Sequence, residues 1–318
     1  LVHSNTMASA VEGNEEDITE LPGVGSATAK KLRKNGFGDL LSIAVSTVGQ
    51  LSDAGGLSES KARKVIRASR EKLDMGFQSG ADVLEQREKV TKISLGCSHI
   101  DNMMGGGFET GSITECFGEY GSGKTQVALK LAVAAQRDYE DSTVVYIDTE
   151  NTFRPERVSQ FAKGEDMDPD DVLENIKVAR AYNTDHQMLL AEKIEDIIDV
   201  KMIIVDSLTA HFRAEFVGRG TLAKRQQKLN KHMHTLSLLA DKHNACVYVT
   251  NQVQTKPDQF FGDPTEAIGG NIVGHNSTFR IYLRPGRKGT RVAKLIDSPN
   301  LPDDECVFMI NTNDLDDA

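Results

Sequence analysis

From residue 90 onward, short apolar runs alternate with longer stretches in which apolar residues recur every three or four positions. The short runs are rich in β-branched residues and predict strands, whereas the longer stretches predict amphipathic helices. A chain that alternates strands with helices forms a mostly parallel sheet covered by helices on both faces. The predicted strands of this set span 143–148, 175–179, 202–206 and 245–250, and the clearest helices span 185–198 and 222–239.

Three later apolar runs, at 279–283, 291–296 and 306–310, have no helical stretch between them. Strands that follow one another through short connections pair in an antiparallel manner. The three runs therefore predict antiparallel strands that extend the sheet, and the fold class predicted for residues 90–318 is α/β.

The pattern changes before residue 90. Residues 18–75 are helical and basic, which predicts a compact bundle of four or five helices, and residues 76–89 are predicted to form a linker. Residues 1–17 are expected to be a disordered acidic tail. The length of 318 residues supports two domains, because it exceeds what a single hydrophobic core usually organises.

Composition narrows the class of protein. The net charge of -10 argues against wholesale nucleic-acid binding, but acidic residues are concentrated at 12–17 and 314–317 and leave basic clusters elsewhere. No run of about twenty apolar residues and no signal segment occurs. We therefore expect a soluble, cytoplasmic protein without a membrane partner. The four cysteines lie far apart and are expected to be reduced core residues.

The octapeptide GEYGSGKT at 118–125 matches the phosphate-loop pattern G-x-x-x-x-G-K-[ST]. It follows an apolar run at 112–117 and precedes a helical stretch at 126–136. Backbone N–H groups of such a loop, together with the helix dipole, hold the phosphates of a nucleotide. Lys124 is predicted to reach the β and γ phosphates and Thr125 to ligate magnesium. The alternative is a glycine-rich turn without a ligand. The predicted nucleotide-binding residues of this segment are Gly118, Glu119, Tyr120, Gly121, Ser122, Gly123, Lys124, Thr125 and Gln126.

Polar residues end three of the predicted strands, at the edge where ligands bind in parallel sheets. Asp206 is predicted to hold the hydration shell of magnesium. Glu150 is the candidate base that orients and deprotonates the attacking water. Asn251 and Gln252 are candidate amides for sensing the γ phosphate. Each residue alone also fits a surface turn, and their convergence on one phosphate loop favours a catalytic site.

In the first domain, the segment LPGVGSATAKKL at 21–32 places Gly23 and Gly25 between two predicted helices. This arrangement resembles a helix-hairpin-helix motif, whose glycines allow close approach to a DNA backbone. A weaker repeat of the scheme occurs at 55–64. The alternative is protein contact through the same turn.

Together these residues resemble the RecA/RadA strand-exchange family, and within it the archaeal RadA recombinases. The resemblance rests on LPGVGSATA, GEYGSGKTQ, VYIDTENTFRPERV, ARAYNTDHQ, IIVDSLTAHFRAEFVGRGTLAKRQQKL, VTNQVQTKPD, IGGNIVGH and RVAKLIDSPNLP, in this order. It implies a RecA-like ATPase core preceded by an all-α helix-hairpin-helix domain. It also implies an ATP- and Mg²⁺-dependent protein that polymerises on single-stranded DNA, pairs it with a homologous duplex and exchanges strands in recombination and repair. The implied partners are single- and double-stranded DNA, further copies of the chain in a filament or ring, and recombination mediators.

The resemblance also implies roles for individual residues. Arg157 and Gln160 would pack on adenine. Two loops would line the filament axis, one with glycines beside its arginines and one at 258–276 whose ordering by Gln252 would link ATP to DNA. Their implied DNA-binding residues are Arg213, Arg219 and Arg225 in the first loop and Gly269, Gly270 and Asn271 in the second. The alternatives are a solvated helix face for the arginines and an inert loop for the glycines.

Assembly has implied residues too. Phe77 matches the family's polymerisation motif, although Gly80 stands where relatives have Ala; the alternative is a core residue of its own domain. Asp297, Pro302 and Asp303 resemble the cap over a neighbour's ATP, with a monovalent cation such as K⁺ between the carboxylates and the γ phosphate. The alternative is a proline turn. His275 is the family's candidate for sensing the neighbour's γ phosphate. The basic hairpin Arg284, Arg287, Lys288 and Arg291 resembles a secondary duplex-binding surface or an ordinary charged hairpin.

Three other functions compete with strand exchange. The first is a recombinase paralogue or mediator that binds DNA and partners without exchanging strands, whose usual marks, a shortened second loop or a missing first domain, are absent. The second is a hexameric helicase motor on a related core. The third is a passive DNA-binding scaffold that uses ATP for rigidity only. One departure from the family is Asn151, where relatives often have Gly after the catalytic Glu.

Overall fold

A computed structural model of the protein describes residues 18–73, 75–88, 90–255 and 265–318. The chain divides into two compact units, Leu1–Glu88 and Lys89–Ala318, so the division falls at the end of the predicted linker. The predicted acidic tail at 1–17 lies outside the described residues.

The small unit consists of a 3-10 turn, Ile18–Glu20, followed by short helices that share one apolar core. Buried residues such as Ala29 and Leu32 recur at helical spacing and form that core. Side-chain caps fix where helices begin: Asp39 and Ser42 form a reciprocal capping box, as do Thr47 and Gln50. The helices are α1 (Ser26–Lys34), α2 (Leu40–Val45), α3 (Val48–Gly55) and α4 (Glu59–Lys72).

The predicted linker contains a helix that the sequence pattern did not indicate, α5 (Gly80–Glu88). None of its residues is buried, so it has no amphipathic pattern to detect. Its start is set by Ser79, whose hydroxyl accepts a hydrogen bond from the Asp82 backbone at 3.1 Å while the Asp82 carboxylate accepts from Ser79. The preceding Phe77 is fully exposed, which removes the alternative of a core residue of its own domain.

The strands of the large unit are β1 (Lys92–Ile93), β2 (Phe108–Glu109), β3 (Ser112–Gly118), β4 (Thr143–Asp148), β5 (Ile176–Arg180), β6 (Val200–Asp206), β7 (Cys246–Asn251), β8 (Val253–Thr255), β9 (Thr265–Ala267), β10 (Phe279–Pro285), β11 (Arg291–Asp297), β12 (Asp304–Ile310) and β13 (Leu315–Asp317). Nine of them form one sheet with the order β13-β12-β11-β10-β3-β7-β6-β4-β5. The helices are α6 (Ser98–Met103), α7 (Lys124–Asp138), α8 (Pro155–Gly164), α9 (Pro169–Glu174), α10 (Thr184–Glu192), α11 (Ala210–Glu215), α12 (Leu222–His243) and α13 (Gly270–Asn276).

The sheet is covered on both faces, as the alternation of strands and helices predicted. Alternate residues of β6 enter different apolar clusters: Met202 and Ile204 belong to one, and Ile203 and Val205 to the other. The first cluster includes α7 and the second includes α12. Of the four free cysteines, three are buried and Cys306 is half-buried. Among the described residues, no helix is both long and apolar enough to cross a membrane.

The last strands were predicted correctly in position and in their antiparallel pairing with one another. β11, β12 and β13 are antiparallel to their neighbours, but β10 pairs parallel to β3. The physical reason is α13, which lies between β7 and β10 in the chain and returns it to the starting edge of the sheet. This helix also corrects the expected second loop, since residues 270–276 are helical and residues 265–267 form β9.

Candidate nucleotide-binding site

The phosphate loop joins β3 to α7 at the carboxyl edge of the sheet. A side chain at Gly118 would place its Cβ 2.1 Å from the carbonyl oxygen of Leu283, so the strand pairing there requires glycine. Gly121 and Gly123 have φ of 75° and 107°, in the left-handed region that favours glycine. These positions explain the glycine spacing of the motif, and they leave the first amides of α7 facing the cavity.

Lys124, the first residue of α7, donates hydrogen bonds from Nζ to the carbonyl oxygens of Gly118 and Glu119, both at 2.8 Å. Burial lowers the pKa of its ammonium group, and the carboxylates of Asp206 and Glu150 oppose that shift. The lysine is therefore held over the loop as a cation whose hydrogen bonds go to carbonyls that a phosphate can replace.

Thr125 and Asp206 meet at the centre of the site. The Thr125 hydroxyl donates to Oδ2 of Asp206 at 2.8 Å, and the same oxygen accepts from the buried Tyr146 hydroxyl at 2.8 Å. The Thr250 hydroxyl donates to the other oxygen of Asp206, and the Thr152 hydroxyl donates to Oδ2 at 3.3 Å. A hydroxyl beside a firmly oriented carboxylate is an oxygen donor set that fits Mg²⁺.

Glu150 stands on a turn that Asp148 organises. The Asp148 carboxylate accepts hydrogen bonds from the backbone N–H groups of Glu150, Thr152 and Phe153 at 3.1–3.2 Å. Asn151 in this turn has a φ of 59°, a left-handed conformation that Asn adopts more readily than most residues. Asn151 therefore fits the left-handed position that follows Glu150.

The Glu150 carboxyl group has a perturbed acidity. Burial raises its pKa, the nearby Asp206 carboxylate raises it further, and Lys124 acts in the opposite direction. A carboxylate with a raised pKa beside a phosphate loop has the character of a general base.

Gln252 connects Glu150 with α11 through hydrogen bonds of its side-chain amide. Its Nε2 donates to Oε1 of Glu150 at 2.7 Å, and its Oε1 accepts a hydrogen bond from Arg213 of α11. Asn251 does not share this position. It is fully buried, donates to Glu115 at 2.7 Å and accepts from Thr209 at 2.7 Å. Of the two candidate sensors, Gln252 lines the cavity, whereas Asn251, the last residue of β7, is buried.

The cavity has a volume of about 850 Å³. It brings together the predicted residues Gly118, Glu119, Tyr120, Gly121, Gly123, Lys124, Thr125, Gln126, Glu150, Asp206 and Gln252. Ser122 of the motif is buried behind the loop. Four further residues line the cavity: Thr152, Thr250 and Ile310, which the sequence did not indicate, and Arg291, which was expected on a duplex-binding surface or an ordinary charged hairpin.

Arg157 and Gln160 of α8 lie outside the cavity lining and next to Gln126. The Arg157 guanidinium donates to Gln126 at 2.6 Å, to Gln160 at 2.8 Å and to the carbonyl oxygen of Asn311 at 2.7 Å. It also lies 3.9 Å from the ring centroid of Phe161. These contacts fix the orientation of the Arg157 guanidinium plane, and one of its faces packs on Phe161. A planar group held in this way can serve as a stacking surface for an aromatic base.

Other predicted residues lie away from this chain's cavity. Those expected to act on a neighbour's nucleotide are all exposed: His275, Asp297, Pro302 and Asp303. Gly23 and Gly25 are exposed in the small unit.

The predicted DNA-binding loops are more regular than expected. Arg213 lies on α11, Arg225 lies in the first turn of α12, and Arg219 begins a 3-10 turn between them. Gly269, Gly270 and Asn271 form the start of α13. The part of the second predicted loop at 258–264 lies outside the described residues.

The missed residues had a weak signal in the sequence. Thr250 stands within a predicted strand. So does Tyr146, a hydrogen-bond partner of Asp206 that was also not predicted, and it alternates with Asp148. Period-two alternation would have placed Tyr146 on the same strand face as Asp148. Arg291 had no such signal, because its direction depends on how β11 returns to the phosphate loop.

Comparison with known proteins agrees with this geometry. A family model described as Rad51 matches residues 86–318, and one described as a SAM-like helix-hairpin-helix tandem matches residues 15–71. The chain is 51% identical over 318 residues to a protein named DNA repair and recombination protein RadA from Methanococcus maripaludis strain C5. The match covers 94% of this chain and 99% of that protein.

Proposed function

Because this chain belongs to the Rad51 family, whose members are DNA-dependent ATPases, we propose that it forms filaments on single-stranded DNA and catalyses homologous pairing and strand exchange. The observation that carries the proposal is a side-chain connection, in which Gln252 contacts both the candidate base Glu150 and Arg213 of the first predicted DNA-binding segment. A hydrolytic site and a DNA contact therefore share one amide.

The phosphate loop, Lys124, Thr125 and Asp206 hold ATP with Mg²⁺. The Nζ of Lys124 exchanges its two carbonyl partners for phosphate oxygens, a charge-assisted interaction stronger than the one it leaves. Thr125 and Asp206 supply the hydroxyl and the carboxylate for Mg²⁺, which neutralises charge on the phosphates. The hydrogen bonds of Tyr146 and Thr250 keep the Asp206 carboxylate in one orientation.

Hydrolysis depends on Glu150, which accepts a proton from the attacking water and orients it toward the γ phosphate. Burial and the Asp206 charge raise the pKa of this carboxyl group and so make it a stronger base. Gln252 holds the carboxylate in place and reports the γ phosphate to Arg213. The adenine base packs on the Arg157 guanidinium beside Gln160.

DNA contacts extend from this connection. Arg213, Arg219 and Arg225 bind the phosphates of the single strand, and the start of α13 at Gly269–Asn271 contributes backbone amides. In the small unit, Gly25 precedes α1 with φ of -83° and nothing within 4 Å of a Cβ placed there. Neither local conformation nor packing requires a glycine at Gly25, which supports close approach of a DNA backbone at this turn.

Assembly supplies the remaining parts. The exposed Phe77 inserts into a neighbouring core, and Asp297, Pro302 and Asp303 cover that neighbour's ATP. The two carboxylates would hold a monovalent cation such as K⁺, which would offset negative charge at the nucleotide. His275 contacts the γ phosphate of the same ATP. The protein acts in the cytoplasm at the nucleoid, where mediators load it onto DNA.

A gel assay for pairing of a circular single strand with a homologous linear duplex tests the proposal. We expect ATP-dependent joint molecules from the full chain and none from Lys124→Ala. Absence of joint molecules together with DNA binding would favour a mediator, and unwinding of forked DNA would favour a helicase. Equal ATP turnover with and without single-stranded DNA would favour a passive scaffold.

A further inference from the structure

Arg291 is the first residue of β11, and the sheet topology brings it to the phosphate loop. β10 runs parallel to β3 and pairs Leu283 with Gly118, the first glycine of the loop. β11 then returns antiparallel from the same edge, so its first residue lies where the parallel strands end. An antiparallel neighbour contributes its amino end to the edge at which a parallel sheet binds ligands.

The Arg291 side chain lies against Gly123. A Cβ placed on Gly123 would be 3.8 Å from Cγ of Arg291 and 4.0 Å from its Nε. Nε is buried and has no hydrogen-bond partner, while Nη1 donates to the carbonyl oxygens of Gly289 and Thr290 at 3.0 Å. The guanidinium is therefore held by its own hairpin and keeps an unused donor beside the loop.

The charge environment of Arg291 differs from that of the neighbouring arginines. The neighbouring arginines of β10 each pair with a carboxylate, Arg280 with Glu115 at 2.7 Å and Arg284 with Glu305 at 3.1 Å. Within the part of the chain that the structure describes, Arg291 makes no such ion pair. A half-buried guanidinium without a counterion attracts an anionic ligand.

The cavity needs this charge. Three carboxylates line it, Glu119, Glu150 and Asp206, against two cations, Lys124 and Arg291. A polyanionic nucleotide that enters such a cavity is stabilised by every positive charge that does not already have a partner.

We propose that Arg291 is a nucleotide-binding residue that contacts the α or β phosphate from the outer side of the phosphate loop. The inference rests on the proposed ATP-binding function of the same site. Arg291 lies beside Gly123, whose amide belongs to the part of the loop that cradles the α and β phosphates. Because ATP and ADP share these two phosphates, the binding of both nucleotides should depend equally on Arg291. Gln252 differs in this respect, since it is expected to distinguish ATP from ADP.

The test is a titration of the full chain with fluorescent ATP and ADP. Arg291→Met keeps an unbranched apolar stem against Gly123 and removes the charge, and we expect it to raise the Kd for both nucleotides by about tenfold or more. Arg291→Lys restores most of the affinity. Lys294→Met is the matched control, because it removes a positive charge from an exposed position of the same strand and should leave both Kd values unchanged.

Each outcome is decisive. Wild-type affinity in Arg291→Met for both nucleotides would overturn the proposal and leave Arg291 a packing residue. If Arg291→Met lowers the melting temperature without nucleotide, the comparison moves to Arg291→Lys and Arg291→Gln, and equal affinities in these two would overturn it. Failure of the wild-type chain to bind nucleotide would instead contradict the proposed function.

Discussion

Gln252 donates a hydrogen bond to Glu150 across 2.7 Å, between the end of β7 and the turn after β4. The opposite atom of the same amide accepts from Arg213 on α11. An amide that donates on one side and accepts on the other cannot keep both contacts if it turns toward a γ phosphate. We therefore expect nucleotide state and the position of Arg213 to be connected through this one side chain.

Replacement of Gln252 by Ala should separate ATP binding from its effect on DNA. We expect Gln252→Ala to retain ATP affinity, because the phosphate loop is intact, and to lose the ATP-dependent increase in affinity for single-stranded DNA. The measurement is DNA binding with and without ATP at several fixed salt concentrations. Undiminished stimulation by ATP would refute the connection.

Replacement of Glu150 by Gln should remove the base while keeping the shape of the site. We expect hydrolysis to fall by about a hundredfold or more, with ATP and DNA binding retained. The two quantities to measure are the single-turnover rate of ATP hydrolysis and the nucleotide Kd, each in the wild type and in Glu150→Gln. A rate within a few-fold of wild type would show that another group accepts the proton.

The pH dependence of hydrolysis should follow the same carboxyl group. A general base is active when deprotonated, and the folded-state pKa of Glu150 is raised above its ordinary value of 4.5 by burial and by Asp206. The rate should therefore be full at higher pH and fall as pH decreases through that raised pKa. The profile of kcat, compared between wild type and Glu150→Gln, checks this. An identical acid limb in both proteins would assign the titration to another group.

Phe77 is expected to act between copies of the chain, because it is fully exposed within its own. Phe77→Ala should therefore leave the melting temperature of the core unchanged, reduce self-association and lose DNA-stimulated ATP turnover. Ile198→Ala, which truncates another exposed apolar side chain, is the control. Sedimentation and ATPase assays on the same samples are required, and full activity in a strictly monomeric Phe77→Ala would contradict the prediction.

The last strand, β13, is hydrogen-bonded to the start of α6. Asp317 of β13 accepts hydrogen bonds from the Ser98 hydroxyl and from the His99 backbone N–H, and these lower its pKa to about 2. Because the pKa of Asp317 is lower in the folded state than its ordinary value of 3.8, the ionised carboxylate stabilises the fold at pH values above about 4. That stabilisation is lost as pH falls from about 4 toward 2. Asp317→Asn should lower the melting temperature at pH 7 and flatten its decline in acid. Asp304→Asn at the start of β12 should keep the wild-type decline.

A buried lysine of α7, the helix that follows the phosphate loop, forms ion pairs with two carboxylates. Lys130 of α7 has a fully buried side chain and pairs with Glu165 and, at 2.6 Å, with Asp314. Removing Glu165 leaves a buried cation with a partner missing, so Glu165→Ala should cost about 3 kcal/mol of unfolding free energy. Glu192→Ala breaks an exposed pair with Lys231 and should cost less than about 1 kcal/mol. Chemical denaturation of both variants provides the comparison, and equal costs would contradict it.

The sequence alone determined the local features of this protein. Strand and helix positions followed from hydrophobic periodicity, as at β4, where the predicted and observed bounds coincide at Thr143–Asp148. The phosphate loop was identifiable because its chemistry depends on glycines, a lysine and a hydroxyl at fixed spacing in one short segment.

Only the tertiary structure decided which distant side chains meet. The Asn251 and Gln252 amides were equivalent in sequence, and the burial of Asn251 against Glu115 left only Gln252 at the cavity. The parallel direction of β10 depends on a helix between strands, and the placement of Arg291 beside Gly123 depends on that direction. Periodicity specifies the face of an element that is buried, but contacts between residues far apart in the chain depend on strand order and register.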